Sequence, residues 1–189
     1  MRINIILLAC FIGFLFSCSS VMIHRGVTVD NIYYSDKLPS IKIGIDESFV
    51  YFPDHPVSRR HKCEFFLNEK TKESFFIRIY AGDYAPESSF KGKDMVSVEK
   101  KTILGKTFYV GTEIFKDFDG YYLKRVHLNY PNNQTMLVIM HTRPLILYGE
   151  QYDWSEISNL TEKQKQIINE FVEDNASYVC FIESSVGSK

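Results

Sequence analysis

"CEFFLNEKTKESFFIRIYAG", residues 63–82, is the stretch on which the fold turns. Two aromatic runs flank a polar turn centred on Lys70-Thr71, the pattern of a β-hairpin. A loop of Glu69 to Lys72 sets Phe66 opposite Phe75 and Phe65 opposite Phe76, cross-strand aromatic pairs of the kind that stabilise sheets. The same grammar continues downstream. Met95 to Leu104 and Lys106 to Phe115 form a second pair turning at Gly105, "FDG" leads into Tyr121 to Asn129, and "PNNQ" turns that strand into Thr135 to Thr142. Successive hairpins make an antiparallel sheet.

Upstream, Ile41, Ile43 and Ile45 alternate as a strand does, "SFVYF" prolongs the apolar run to Pro53, and "PDHPVSRRH", residues 53–61, reads as a loop. Only "TEKQKQIINEFVEDNAS" has helical period, with Ile167, Ile168, Phe171 and Val172 on one face; Thr161 and Gln164 have the spacing of a capping box. "SYVCFIE" closes the chain as a last strand. The expected class is α+β: a mostly antiparallel meander sheet of about six to eight strands, with one C-terminal helix packed on it. No internal repeat or low-complexity stretch interrupts it.

The N-terminus has a different character. Arg2 precedes an apolar run from Ile3 to Phe16, too short for a comfortable membrane span but of secretory-signal length. Within it, Leu15-Phe16-Ser17-Cys18 resembles the lipobox of bacterial lipoproteins, and Leu7-Leu8-Ala9-Cys10 offers a second frame. The second frame leaves only Ile3 to Ala9 as export core, which favours Cys18. The resemblance implies a lipid on the Cys18 thiol, cleavage before it and acylation of the new amino group. Two or three chains make a lasting anchor. Ser19 in place of Asp after the cysteine implies the outer membrane, facing either the periplasm or the surface. The segment "YYSDKLPSIKIGIDESFVYF" also resembles small lipoproteins of sulfate-reducing bacteria. The expected organisation is a signal over 1–17, a tether over 18–38 and one sheet-rich domain over 39–189. A plain cleaved signal with a soluble product is the alternative.

Net charge is −1, so there is no electrostatic case for nucleic acid as partner. The 15 Phe and 12 Tyr favour strands over helices. With Cys10 discarded and Cys18 lipidated, Cys63 and Cys180 remain, either as a disulfide or as two buried thiols.

Catalytic constellations are sparse. In the expected four-residue-loop register His127 faces Val138 and His141 faces Lys124, which sends the two histidines to opposite faces and argues against a metal pair. The same register gathers Val126, Leu128, Leu137 and Ile139 on one apolar face. Cys63 followed by His127 and His141 is similar in order to the papain-like cell-wall peptidases, but "HKCEFF" is a strand context rather than the helix start those enzymes use. No phosphate loop, nucleophile elbow, zinc motif or cofactor motif appears, and Asp117 and Asp119 before Gly120 read as a turn.

Arg59-Arg60-His61-Lys62 is the densest basic run, a solvated loop or a contact for anionic headgroups. "LYGEQYDWSE", residues 147–156, gathers Tyr148, Tyr152 and Trp154 with three acids, either a loop for binding carbohydrate or peptide or a cap on the sheet end. Asn-x-Ser/Thr sequons start at Asn133, Asn159 and Asn175 and would matter in a eukaryotic secreted glycoprotein. The sequence thus leads to a lipid-anchored envelope protein that binds an envelope protein or glycan or supports structure. A cysteine-type envelope hydrolase and the secreted glycoprotein are the rivals.

Overall fold

The computed structural model describes residues 25–35, 40–82, 90, 95–149 and 152–183. The lipobox, Cys10 and Cys18 lie outside them. Every described strand and helix falls between Arg25 and Ile182, and no described helix is long and apolar enough to cross a membrane.

The class is α+β, and among the described residues every strand pairing is antiparallel. The strands divide into two sheets. β1 (Arg25–Val27), β2 (Ile32–Ser35), β3 (Ile41–Ile45) and β11 (Val179–Ile182) form one, in the order β1-β2-β3-β11. The other has seven strands: β4 (Val50–Tyr51), β5 (Glu64–Leu67), β6 (Ser74–Ala81), β7 (Met95–Ile103), β8 (Lys106–Asp117), β9 (Gly120–Asn132) and β10 (Thr135–Pro144). Its order is β4-β5-β6-β10-β9-β8-β7, so two meanders meet where β6 pairs with β10.

β1 and β2 correct the expected tether. Ile32 to Ser35 alternate half-buried and buried, and Tyr33 is a core residue, so the folded body starts well before residue 39. The expected loop at 53–61 also contains a short helix, α1 (Pro56–His61), with proline in its first turn and the His55 side chain accepting from the Val57 amide.

The hairpin pairs as the sequence predicts, Phe65 with Phe76 and Phe66 with Phe75. Asn68 builds its turn by accepting from the Lys70 and Thr71 amides. Leu104 and Gly105, both at positive φ, make the tight β7–β8 turn.

The inner face of the large sheet is covered in two halves. The small sheet closes one, with Tyr33, Ile43 and Val179 meeting Phe66, Ile77, Phe108 and Ile139. Helix α2 (Glu162–Tyr178) closes the other, with Ile167, Ile168 and Phe171 meeting Ile114, Leu123, Leu145 and Trp154. The capping box forms as read, Thr161 with Gln164. Val172 is only half-buried, and Gln164 and Asn175 complete the buried stripe instead.

One register differs from the expectation, and it decides the chemistry. The β9–β10 loop is the two residues Asn133 and Gln134, and β9 carries one extra residue where Thr135 pairs with Asn132 but Leu137 pairs with Asn129. Pro131, which has no amide hydrogen to donate, lies within this bulge. The bulge shifts the pairing by one, so Ile139 faces His127 and Arg125 faces His141. A one-residue slip exchanges faces. Both histidines therefore point inward with Leu137 and Ile139, while Val126, Leu128 and Val138 point outward as a third apolar cluster.

Candidate functional site

Two places gather side chains that could do chemistry, one on each face of the large sheet. The inner one lies at the seam between the small sheet and α2. His141 is wholly buried, stacked on Phe75 with ring centroids 4.3 Å apart. Asn175 of α2 donates from Nδ2 to its Nδ1 at 3.3 Å, which leaves Nε2–H to donate to Glu73 Oε2 at 2.9 Å. The same carboxylate oxygen accepts from Arg143 Nη2 at 3.1 Å, and Arg143 also reaches Asp174 of α2 at 2.7 Å.

Burial by itself pushes the Glu73 carboxyl up, but the bond from His141 and the Arg143 guanidinium outweigh it and hold it below the usual range. Burial lowers His141, and Glu73 only partly opposes that. Burial, with Arg125 nearby, takes His127 down to about 3.

Both ring nitrogens of His141 are thus engaged and no solvent reaches them. This is a polar clasp between helix and sheet. The two histidines share a face, contrary to the expected register, yet among the described residues no group of three or more metal-ligating side chains forms.

Cys63 does not join them. Its thiol points at the Val57 carbonyl, Sγ to O 3.7 Å, and burial with Glu64 beside it pushes the thiol up to about 11, the opposite of an activated nucleophile. Cys63 and Cys180 are both free thiols. Cys63 is buried beside the large sheet and Cys180 is exposed on β11 of the small one, so neither the expected disulfide nor the pair of buried thiols forms.

The expected binding loop acts as a cap. Trp154 is buried against α2, Tyr148 and Tyr152 pack on the same cluster, and Gln164 Nε2 donates to the Asp153 carbonyl at 2.7 Å. A pocket of only about 190 Å³ lies beside Tyr152 and Trp154. Asp117 and Asp119 are turn residues, accepting from the Phe118 amide and the Tyr122 hydroxyl. In the basic run Arg59 pairs with Asp54, both well exposed, while the side chains of Arg60 and His61 lie outside the described residues.

The outer face is different. A cavity of about 950 Å³ lies over β5, β6, β10 and β9. Its floor is Phe76, Val126, Leu128, Val138 and Met140, continued by Met136 and Tyr80. His55, stacked on Phe65 with centroids 4.4 Å apart, and Val57 of α1 wall one side. Phe90 walls another by lying on Gly111, where an added Cβ would meet it at 2.6 Å and Met95 at 2.4 Å. Gly111 is what lets those side chains reach the sheet.

The charged lining residues lie near one end, where Lys124 pairs with Glu113 and Ser74 shares a 2.7 Å hydrogen bond with Thr142, while Arg78 of β6, opposite Val138, lies on the Tyr80 ring. Size and apolar lining suit a ligand site. Sequence reading missed it because the expected register put Val126 and Leu128 with Leu137 and Ile139. The signal was "TMLVIMHT", a strand apolar on both parities, which says that both faces of β10 are covered.

No protein-family model matches the chain, and no curated protein matches it. Among solved structures it is similar to a crystal structure from Bacteroides thetaiotaomicron VPI-5482, with 15% identity and a TM-score of 0.43. The match covers 79% of this chain and 47% of that one, so the chain spans about half the length of the structure it resembles.

Proposed function

We propose that this is a lipid-anchored protein of the bacterial cell envelope, held at the outer membrane through Cys18, with a non-enzymatic role in binding an apolar ligand. The observation that carries the binding role is the 950 Å³ cavity with its apolar floor. The anchor rests on the lipobox resemblance at Leu15 to Cys18. A cysteine hydrolase finds little support, since Cys63 is buried with a raised thiol and His141 is closed off by Glu73 and Asn175. The glycoprotein alternative meets a similar obstacle at one of its three sequons. Asn175 is buried against His141 and has no room for a glycan.

Expression of the full chain in a bacterium with two membranes, followed by mass spectrometry of the mature N-terminus, tests the anchor. The expected product starts at a diacylglyceryl Cys18, and an unmodified start elsewhere overturns the anchor. Titration with the neutral dye phenylnaphthylamine tests the binding. Saturable fluorescence enhancement that Val138→Lys abolishes is expected, and no saturable binding by the parent protein overturns it.

A further inference from the structure

We infer that the outer-face cavity is built for a single long acyl chain, the tail of a fatty acid or a lysolipid, lying along β10 with its head beside Ser74, Thr142 and Lys124. The inference rests on the binding role proposed above and specifies its ligand.

The first argument is the polarity gradient. Along β10 the outward residues run Thr142, Met140, Val138, Met136; on β6 Ser74, Phe76 and Tyr80 stand opposite Thr142, Met140 and Met136, and Arg78, opposite Val138, lays its guanidinium on the Tyr80 ring at 4.0 Å, so the apolar run follows β10. The hydroxyl pair Ser74–Thr142 and the ion pair Lys124–Glu113 mark one end, and everything beyond them on β10 is thioether or aliphatic. From Thr142 to Met136 is six residues, roughly 20 Å at the rise of a strand. A long narrow ligand with one polar end fits that run.

The second argument is what the floor does not offer. The floor residues Phe76, Val126, Leu128, Met136, Val138 and Met140 carry no side-chain N–H or O–H group. A sugar or peptide would have to bury polar groups there with little to receive them, which is costly. An acyl tail has no such need. The methionines add an adaptable surface for a chain with many rotamers.

The third argument concerns the head. The rim carries both signs, Lys72 and Lys124 with Asp117 and Asp119, and Lys124 is already paired. The rim therefore has little preference for head charge, and tail length sets affinity.

The test uses residues 19–189 released by an ordinary cleaved signal, which retain every described strand and helix and carry no lipid of their own. Saturated fatty acids from octanoate to myristate, and myristoyl lysophosphatidylcholine, compete against the fluorescent fatty acid parinarate. Inhibition constants are expected to fall about fourfold per added methylene. Met136→Lys at the far end is expected to weaken myristate tenfold or more and to leave octanoate within twofold, with an unchanged circular dichroism spectrum.

A flat chain-length series, or equal loss for short and long chains in Met136→Lys, overturns the inference. If the series is flat while phenylnaphthylamine still binds, the acyl assignment fails and the binding role stands; if neither binds, both fail. Competition by both head groups supports tail recognition, and competition by one alone overturns the indifference to head charge while identifying the source. Loss of parinarate binding in the full lipidated chain alone would identify the protein's own acyl chain as the source.

Discussion

Met140 and His141 are neighbours on one strand and belong to opposite regimes. His141 faces inward, wholly buried, with both nitrogens bonded and an aromatic ring stacked upon it. Met140 faces outward into an open cavity, half-buried among other apolar side chains. The inner face is packed and its polar groups are largely committed to one another; among the described residues the outer face of β10 is apolar and borders an open cavity. A fold commits its binding energy on the first surface and keeps the second for something else.

The largest expected effect comes from breaking the inner clasp. Glu73→Ala leaves Arg143 and His141 buried without their shared carboxylate, and loss of one partner of a buried pair typically costs about 3–5 kcal/mol. Phe171→Ala empties the space where α2 meets His141 and Leu123, at a similar cost of about 3–5 kcal/mol. Urea unfolding measures both, and a loss under about 1 kcal/mol for either would show that the seam is dispensable.

Acid should act on the same seam. A histidine lowered by folding contributes stability that is complete above its ordinary value of 6.5 and is lost as pH falls toward the folded value, about 3 for His127. His141 is lowered too and adds to the loss. Glu73, lowered below 4.5 by His141 and Arg143 against the cost of burial, contributes stability present above the carboxylate range and lost below it. The urea midpoint is expected to decline steadily from pH 6.5 downward, and His127→Leu should flatten the upper part of that decline. A midpoint constant between pH 7 and pH 4 would contradict it.

Smaller effects sharpen the contrast. Gly111→Val forces Phe90 and Met95 off the sheet, an overpacking cost of about 1–3 kcal/mol that should also change phenylnaphthylamine binding, because Phe90 walls the cavity. Thr161→Ala removes the capping box of α2 and should cost about 1 kcal/mol with no effect on the dye. If it altered dye binding, the two faces would be coupled.

The sequence made the hairpins and the helix legible because each carries its own local signal. Phe65, Phe66, Phe75 and Phe76 pair as their spacing requires, and Thr161 with Gln164 caps the helix they announce. The β9–β10 register was not legible. Val126 and Leu128 face one way, Leu137 and Ile139 the other, so hydrophobicity alone chooses neither register, and the bulge near Pro131 settles it. That single residue moved both histidines to one face and opened the outer cavity to view. β1 and β2 were obscured for another reason: their strands are only three and four residues long. The clasp was hidden as well, because Glu73, Arg143 and Asn175 come from three distant elements and look like ordinary polar residues until the fold assembles them.

The division of labour between faces is tested most directly by unfolding and dye titration of Met140→Gln and His141→Leu side by side. Met140→Gln is expected to stay within about 1 kcal/mol of the parent in stability and to weaken phenylnaphthylamine about tenfold. His141→Leu is expected to lose about 3 kcal/mol, since it takes from Glu73 one of its two partners and leaves the Asn175 side-chain amide unpaired, while the protein that remains folded binds the dye as the parent does. If Met140→Gln proves the more destabilising and His141→Leu the one that loses the dye, the assignment of the two faces is wrong.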